Sequence, residues 1–270
     1  MLKSIAYVLR ENLTNIYRIF AIAKYEVLSE ARDSKLGFFW NFANPTIQVL
    51  TYWLVFGVIM PGRSGKDGIP YICWLLGGTV IWFFISPCIT NGCNAIYAKK
   101  DIITKMKFPV SILPATVVFK ELFNHFCLMI ILVIAFALFG FYPNVHWFGL
   151  FYYVVCAIMF SISLALLTSV LNMLARDTRK LIMACMRLLL YLTPILWSPD
   201  KLDKHPTLDF LMQFNPIDYL AQGYRDCFFF QEGIQSFGIQ IGIFWGETLL
   251  LFVLGSFVMY KFKRRFMDML

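Results

Sequence analysis

Charged side chains are scarce in this sequence. Only 15% of its 270 residues are Asp, Glu, Lys or Arg, whereas soluble domains average about 25%. Apolar residues make up 59% of the chain and aromatic residues 18%, and a water-facing fold has no room to bury such a surplus. A lipid bilayer accepts it, because each spanning helix exposes about 20 consecutive apolar residues to hydrocarbon. We therefore predict an integral membrane protein.

Motifs for catalysis and for cofactor binding are also missing. The sequence has no GxxxxGK(S/T) phosphate loop, no HExxH, no GxSxG and no GxGxxG. None of its seven cysteines forms a CxxC pair, so we interpret them as small buried hydrophobic residues. The net charge of +8 belongs to no basic stripe on a soluble fold. We expect no active site, no metal, no cofactor bound by this chain and no nucleic acid partner.

Long uncharged stretches divide the chain into bilayer-sized blocks. Charged clusters bound most of these blocks, and Gly140 and Pro143 divide the longest one into two. The six predicted spans cover residues 39–60, 70–93, 117–139, 148–174, 181–198 and 237–260. We therefore predict an all-α integral membrane fold with six transmembrane helices, in which residues 1–270 form a single transmembrane domain.

Lysine and arginine are unevenly distributed between the two sets of loops. Of the 24 Lys and Arg residues, 17 lie in residues 1–38, 99–107, 176–180 and 261–265, which six spans place on one side. Loops rich in these residues stay in the cytoplasm. We therefore predict a multi-pass protein of the plasma membrane with both termini in the cytoplasm.

Three segments outside the spans have their own apolar patterns. Residues 3–33 have the period of an amphipathic helix, which we expect to lie on membrane lipid or against a cytoplasmic partner. Residues 94–107 resemble a short basic helix whose apolar residues favour docking to a partner over a plain connector. Residues 199–232 mix acidic and apolar residues, which predicts short helices, broken at Pro206 and Pro216, on or within the outer leaflet.

Four ionisable residues fall within or beside the predicted spans. An unpaired charge there costs roughly 2.5 to 3.5 kcal/mol, so each is a functional candidate. Lys120 and Glu121 are placed where their side chains reach the headgroups. Arg187 either reaches the cytoplasmic interface or meets a phosphate-bearing substrate. Glu247, near mid-span, either pairs with a neighbouring helix or couples transport to an ion.

Aromatic residues crowd the first, second and fifth predicted spans. Rings near span ends are typical of interfacial belts, whereas rings that face a partner can stack on sugars and line a conduit. The candidate residues for a substrate path are Tyr52, Trp53, Phe56, Trp82, Phe83, Arg187, Tyr191 and Trp197. Contact with lipid remains the alternative for each ring.

Short motifs follow one another in order along nearly the whole chain. They are Ser34-Lys-Leu-Gly-Phe-Phe-Trp40 with Pro45, Lys105 to Pro109, Ile112-Leu-Pro114, Arg176-Asp177, Thr193-Pro-Ile-Leu-Trp197, Asn215-Pro216 and Gly223-Tyr-Arg-Asp226. This ordered set resembles the ABC-2 permeases that export polysaccharides and polyol phosphates. One departure is that Arg32-Asp33 directly abuts Ser34, where the family usually has several residues between.

The finer resemblance is to the teichoic acid translocation permeases. It rests on Trp74-Leu-Leu76, Trp82 to Ser86, Met106 to Pro109 and Tyr191 to Trp197. It implies export of a lipid-linked anionic polymer, wall teichoic acid, from the cytoplasmic to the outer face of the membrane. Permeases for capsular polysaccharide or O-antigen are the close alternative.

The resemblance also implies partners. We expect a homodimer with the first and fifth spans at its seam, and two copies of a separate subunit that binds ATP and magnesium. Residues 3–33 would be an interface helix, residues 94–107 a coupling helix, and residues 199–232 the gate region. The expected coupling residues are Tyr97, Lys99, Lys100, Asp101, Ile102, Ile103 and Lys105.

Two other classes of function remain open at this point. An ion-coupled secondary transporter would use Glu247 as its coupling carboxylate. A membrane-embedded transferase would need an acid–base group, for which His125 is the candidate.

Overall fold

The computed structural model describes residues 1–32, 35–59, 68–105, 108–200, 206–231 and 238–263, which are helical and contain no strand. Their α-helices are α1 (Leu2–Thr14), α2 (Ile16–Arg32), α3 (Trp40–Trp53), α4 (Tyr71–Cys93), α5 (Ala95–Ala98), α6 (Lys100–Lys105), α7 (Leu113–Leu138), α8 (Gly149–Leu174), α9 (Asp177–Leu192), α10 (Pro206–Met212), α11 (Pro216–Arg225) and α12 (Gly238–Phe262). Short 3-10 helices cover Gly37–Phe39, Val110–Ile112 and Val145–Phe148. A π-helical segment, Leu54–Ile59, follows α3, and another, Asp226–Phe230, follows α11.

Five helical stretches within the described ranges are long and apolar enough to cross a membrane. They are Gly37–Ile59, Tyr71–Cys93, Val110–Leu138, Val145–Leu174 and Gly238–Phe262. Each overlaps one of the predicted spans. The third begins earlier than the predicted residue 117, because Pro114 lies in the first turn of α7, where its missing N–H breaks no helical hydrogen bond.

The fifth predicted span, residues 181–198, coincides with a shorter helix, α9. α9 ends at Leu192, since Thr193 is extended and precedes Pro194, and a residue before proline is disfavoured in helical conformation. The 16 residues of α9 extend about 24 Å, less than the roughly 30 Å of a hydrocarbon core. The count of six spans therefore stays a prediction.

α4 and α8 form the centre of the bundle. In their apolar windows 72% and 61% of the residues are buried within the chain, whereas the windows around α7 and α12 reach only 22% each. α4 packs against α7, α8 and α11, and α12 lies along α8. The stretch that contains α3 is different, with only 6% of its window buried. α3 is therefore almost uncovered.

The four short or amphipathic helices α1, α2, α5 and α6 lie at one end, which we call the basic end. α1 packs against α12, and α2 packs against α7. The helix predicted over residues 3–33 is two helices that meet at Asn15, and its last residue lies outside the described ranges. The predicted coupling helix, residues 94–107, is likewise the pair α5 and α6, with residues 106 and 107 outside the described ranges.

The opposite end carries α10 and α11. Pro206 and Pro216 are the first residues of these helices, where proline is well accommodated. α11 does not rest on the bundle surface, because it packs between α4 and α8 and buries Ile217, Leu220 and Tyr224. The remaining predicted gate residues, 201–205 and 232, lie outside the described ranges.

Candidate functional site

Arg225, the last residue of α11, is the polar centre of the end opposite the basic end. Its side chain is fully buried. Nη1 donates a hydrogen bond to the carbonyl of Pro194 at 2.6 Å, Nη2 to that of Ile195 at 2.7 Å, and Nε to that of Trp74 at 3.3 Å. The guanidinium carbon also lies 3.9 Å from the centroid of the Trp74 ring. One side chain thus joins α11, α4 and the segment that follows α9.

The charge of Arg225 explains why so many acceptors converge on it. Burial lowers its pKa to about 9, which leaves the guanidinium protonated at neutral pH. A buried cation is stable only where its donors find partners. Gly78 makes room for it, since a Cβ atom at that position would lie 2.3 Å from Nη2. Gly78 of α4 is therefore part of the site that holds Arg225.

Further hydrogen bonds hold the segment after α9. The Asn215 side chain accepts from the Ile217 N–H, which caps α11, and donates to Thr193 Oγ1 at 2.8 Å. The Tyr71 hydroxyl of α4 donates to the Leu196 carbonyl at 2.7 Å. We call residues 193–197 together with residues 215–230 the clamp. It fixes the end of α9 to the most buried span.

Aromatic packing attaches the clamp to α7 as well. Phe228 and Phe229 both lie 5.0 Å from the Phe136 ring in edge contacts. His125 of α7 is buried with its Nε2 2.9 Å from the Tyr224 hydroxyl. The π-helical segment after α11 therefore belongs to the packed core, not to a free loop.

At the basic end, ion pairs connect the amphipathic helices to the spans. Lys99, between α5 and α6, lies 2.6 Å from Glu26 of α2. Lys120 of α7 pairs with Glu30 of α2 and lies 3.6 Å from Glu121. Both pairs link α2 to elements that continue into the membrane.

The face of α6 that points away from the bundle is formed by Asp101, Ile102 and Lys105, all exposed. Ile102 is 42% exposed, whereas Ile103 is 3% exposed and packs in a cluster that contains Val8. Tyr97 is flanked by two cations, the Lys100 ammonium at 5.2 Å and the Arg176 guanidinium at 5.1 Å from its ring centroid. This exposed face is the part of α6 that can meet another protein.

Polar residues lie on the uncovered side of α3. Asn44, Gln48 and Thr51, at helical spacing, are all exposed, and the Gln48 amide donates to the Tyr52 hydroxyl at 2.7 Å. Hydrocarbon does not satisfy such groups, so polar residues of spanning helices face protein or water. Residues 44–51 are therefore the part of the uncovered side that is least suited to lipid, whereas Leu54, Val58 and Ile59 further along the stretch are exposed and apolar.

Comparison with known proteins assigns the chain to a family. A family model described as ABC-2 type transporter matches residues 17–229. The chain belongs to the ABC-2 type transporter family. Family membership and the apolar helices make it a multi-pass membrane protein, and the family implies an ATP-binding subunit as its partner.

Three relatives of this ABC-2 chain share one name, O-antigen export system permease protein RfbA. The protein from Myxococcus xanthus is 26% identical over 211 residues, which cover 78% of this chain and 80% of the relative. One from Klebsiella pneumoniae is 26% identical over 241 residues, or 88% of this chain and 89% of the relative. Another from Klebsiella pneumoniae is 24% identical over 241 residues, which again cover 88% of this chain and 89% of the relative.

The structure of this ABC-2 chain separates the predicted path residues. Arg187 and Tyr191 of α9 are exposed, and so is Trp53 of α3. Trp82 is 4% exposed and lies in the core, so it does not reach a surface. The others are partly buried: Tyr52 and Phe56 on the α3 stretch, Phe83 of α4, and Trp197, whose Nε1 donates to the Tyr191 carbonyl at 3.0 Å.

The predicted coupling residues are likewise divided into those that contact the rest of the chain and those that are exposed. Lys99 is engaged by Glu26, and the burial of Ile103 removes it from the surface that a partner would touch. Tyr97 and Lys100 lie against each other, while Asp101, Ile102 and Lys105 remain exposed.

Sequence reasoning missed the central role of Arg225 in this ABC-2 fold and named the residue only within the Gly223-Tyr-Arg-Asp226 motif. Its signal was present, because the arginine lies between Tyr224 and the aromatic run Phe228 to Phe230. An arginine in such surroundings needs buried acceptors. The polar stripe of α3 was also missed, and its signal was the helical spacing of Asn44, Gln48 and Thr51.

Proposed function

We propose that this chain is the permease subunit of an exporter that moves a lipid-linked polysaccharide across the plasma membrane, powered by ATP hydrolysis in a separate subunit. The similarity to O-antigen export system permeases over 88% of the chain carries this proposal. These relatives favour the O-antigen alternative over the wall teichoic acid that the finer resemblance implied. The absence of a phosphate loop agrees with an ATPase on another chain.

The ATP-binding subunit docks at the basic end in this proposal. The distribution of Lys and Arg supports a cytoplasmic location of that end, and the exposed residues Asp101, Ile102 and Lys105 offer a mixed apolar and charged surface. Two copies of the subunit would serve two copies of the permease. The Lys99–Glu26 ion pair then links the docking surface to α2.

The permease works as a homodimer in this proposal, with α3 and α9 at the seam. Two observations support the arrangement: α3 is nearly uncovered, and its exposed side carries Asn44, Gln48 and Thr51. Exposed Arg187 and Tyr191 of α9 supply a cation and an aromatic ring of the kinds that bind phosphate and stack on sugars. The substrate path runs between the copies, since the core of each copy is closed.

The clamp forms a fixed wall of that path in this proposal. Arg225, Asn215 and Tyr71 fix the residues after α9 to α4, so this part moves with α4 as one body. α10 makes fewer buried contacts than α11, since its side chains Leu208, Phe210 and Leu211 are exposed. We expect opening at this end to involve α10 before α11.

Reconstitution tests the proposal. The chain and its ATPase subunit are placed in liposomes with a lipid-linked O-antigen. Translocation is measured as a change in the fraction of the glycan that an external lectin can bind. We expect translocation that needs ATP and fails with an ATPase subunit that cannot hydrolyse it. Translocation by this chain alone under an ion gradient would replace the proposal with a secondary transporter. Transport of a polyol phosphate but not of the glycan would restore the teichoic acid function.

A further inference from the structure

A cavity of about 410 Å³ opens at the basic end, between α5, the end of α8 and the start of α9. The lining residues that the structure describes include three cations and no acid. They include Asn94, Tyr97, Asn172, Arg176, Arg179 and Lys180. Positive charge near a membrane surface is expected from topology alone, but its convergence on one cavity is not.

The walls of this cavity are held in place. Asn172 of α8 is 3% exposed, and its amide donates to Asn94 Oδ1, at the end of α4, at 3.3 Å. Tyr97 supports Arg176, whose guanidinium lies 5.1 Å from the ring centroid. The floor is thus built on the ends of α4 and α8, the two most buried spans, while the exposed cations Arg176, Arg179 and Lys180 come from the turn before α9 and from its first turn.

The positive charge of the cavity is not neutralised within the part of the chain that the structure describes. There, one acidic residue forms an ion pair with a lining cation, Asp177 with Lys180 at 3.2 Å, and both side chains are more than four-fifths exposed. Such surface pairs contribute little. Arg176 and Arg179 have no carboxylate within 4 Å among the described residues. Two guanidinium groups are therefore free to bind an anion.

The cavity continues onto the exposed side of α9. Met183 lies on its rim, Arg187 lies one turn further and donates from Nε to the Met183 carbonyl at 3.4 Å, and Tyr191 follows one turn later. All three are exposed, and their spacing of four residues places them on one helix face. A docking contact for a cytosolic protein would not need this continuation into the membrane, whereas a substrate that enters the membrane would.

We propose that this cavity binds the phosphate-ester headgroup of the lipid-linked substrate, a diphosphate in particular, with Arg176 and Arg179 as its main ligands. Guanidinium groups bind phosphate through paired charge-assisted hydrogen bonds, and the amides of Asn94 and Asn172 add neutral donors. The choice of a lipid headgroup over a free diphosphate rests on the proposed function. Arg187 is then the next cation along the path.

Binding of labelled farnesyl diphosphate to the purified complex of the chain with its ATPase subunit tests this site. The variant Arg176→Gln/Arg179→Gln should weaken binding roughly a hundredfold, because two charge-assisted contacts are lost. The matched control Arg10→Gln/Arg18→Gln removes the same charge from exposed positions of α1 and α2 and should bind as the wild type does. Arg176→Lys, which keeps the charge without the planar fork, should lose roughly tenfold.

The competitors identify the ligand. Farnesol, with the same tail and no phosphate, should not displace the label, and inorganic pyrophosphate should displace it weakly. Displacement by pyrophosphate as strong as by farnesyl diphosphate would overturn the lipid source. Equal binding by the Arg176→Gln/Arg179→Gln variant and the wild type would overturn the site. So would loss of the ATPase subunit from that variant with farnesyl diphosphate binding intact, which would make the cavity a protein contact.

The result is separable from the proposed function, since binding is measured without transport. If the labelled headgroup binds through Arg176 and Arg179 but no polysaccharide is translocated in liposomes, the site stands and the polysaccharide proposal fails. If polysaccharide is translocated while the arginine variants bind the label as the wild type does, the polysaccharide proposal stands and the site fails. Size-exclusion profiles like that of the wild type, together with the smaller loss expected for Arg176→Lys than for the double Gln variant, would show that the cavity remains folded.

Discussion

α3 and α4 are neighbours in sequence and in contact, yet their surroundings are opposite. Their spanning stretches have 23 residues each, but 72% of the window around α4 is buried within the chain and only 6% of the one around α3. The less apolar stretch is the uncovered one. Apolarity does not decide burial in a bilayer, because lipid is as apolar as a protein core. Small residues and polar contacts decide it, and α4 has Gly77, Gly78 and one of the carbonyls that accept from Arg225, that of Trp74.

The largest effect should come from the arginine that fixes α4 in its surroundings. Arg225→Gln leaves the carbonyls of Trp74, Pro194 and Ile195 without their donor, so we expect a loss of about 3 to 5 kcal/mol in the free energy of unfolding. Arg187→Gln, on the exposed side of α9, should change it by less than about 0.5 kcal/mol. Unfolding of the detergent-purified variants measures both. Equal losses would abolish the distinction between covered and uncovered helices.

The two isoleucines of α6 provide a second matched pair. Ile103→Asp places a carboxylate in the cluster with Val8, so we expect a loss of about 3 kcal/mol or more in stability. Ile102→Asp should leave the fold intact and weaken binding of the ATPase subunit roughly tenfold or more. Thermal unfolding and co-purification distinguish the two. A destabilised Ile102→Asp variant would contradict the exposure of this side chain.

Glycine substitutions sharpen the comparison at smaller cost. Gly78→Ala places a Cβ 2.3 Å from the Arg225 guanidinium, and such overpacking should cost about 1 to 3 kcal/mol. Gly246→Ala in α12 meets nothing within 4 Å and should be neutral, or stabilising by up to about 1 kcal/mol through helix propensity. The same unfolding measurement applies. If Gly78→Ala left the free energy of unfolding unchanged, α11 and its Arg225 could move away from α4 without loss of stability.

A substitution on the exposed side of α9 should have the smallest effect on stability and a clear effect on cross-linking between two copies. Cys185 is an exposed cysteine of α9, so a bismaleimide cross-linker added to membranes should join two copies through it. Cys185→Ser should remove the cross-linked band and leave the thermal midpoint unchanged. Absence of the band in the wild type, with the ATPase subunit bound, would count against a seam at α9.

The sequence was sufficient for features that depend on local composition. Five of the predicted spans coincide with apolar helices because a run of uncharged residues is itself the requirement for crossing a bilayer. The prolines at positions 206 and 216 marked helix boundaries for a similarly local reason. The membrane class and the family thus followed from short-range patterns.

Features that depend on contacts between distant residues did not follow. No local pattern distinguishes Ile102 from Ile103, and only the position of Ile103 in a cluster with residues such as Val8 and Leu113 decides which one is buried. Trp82 was assigned to a path by its aromaticity, although its helix face is turned to the core. The partners of Arg225 lie 30, 31 and 151 residues away along the chain, beyond any periodicity.

The shortness of α9 has a consequence for the lipid around it. The whole of α9 is only about 24 Å long and its first turn is polar, so its apolar part is shorter still and does not match a hydrocarbon layer of roughly 30 Å. Bilayers accommodate short elements by thinning next to them. Because the clamp fixes Thr193 and Pro194, α9 has no means of lengthening by another turn. We therefore expect the membrane to be thinner beside the seam at which α9 lies, so that headgroups and water of the two leaflets approach each other there and a hydrophilic chain has less hydrocarbon to cross.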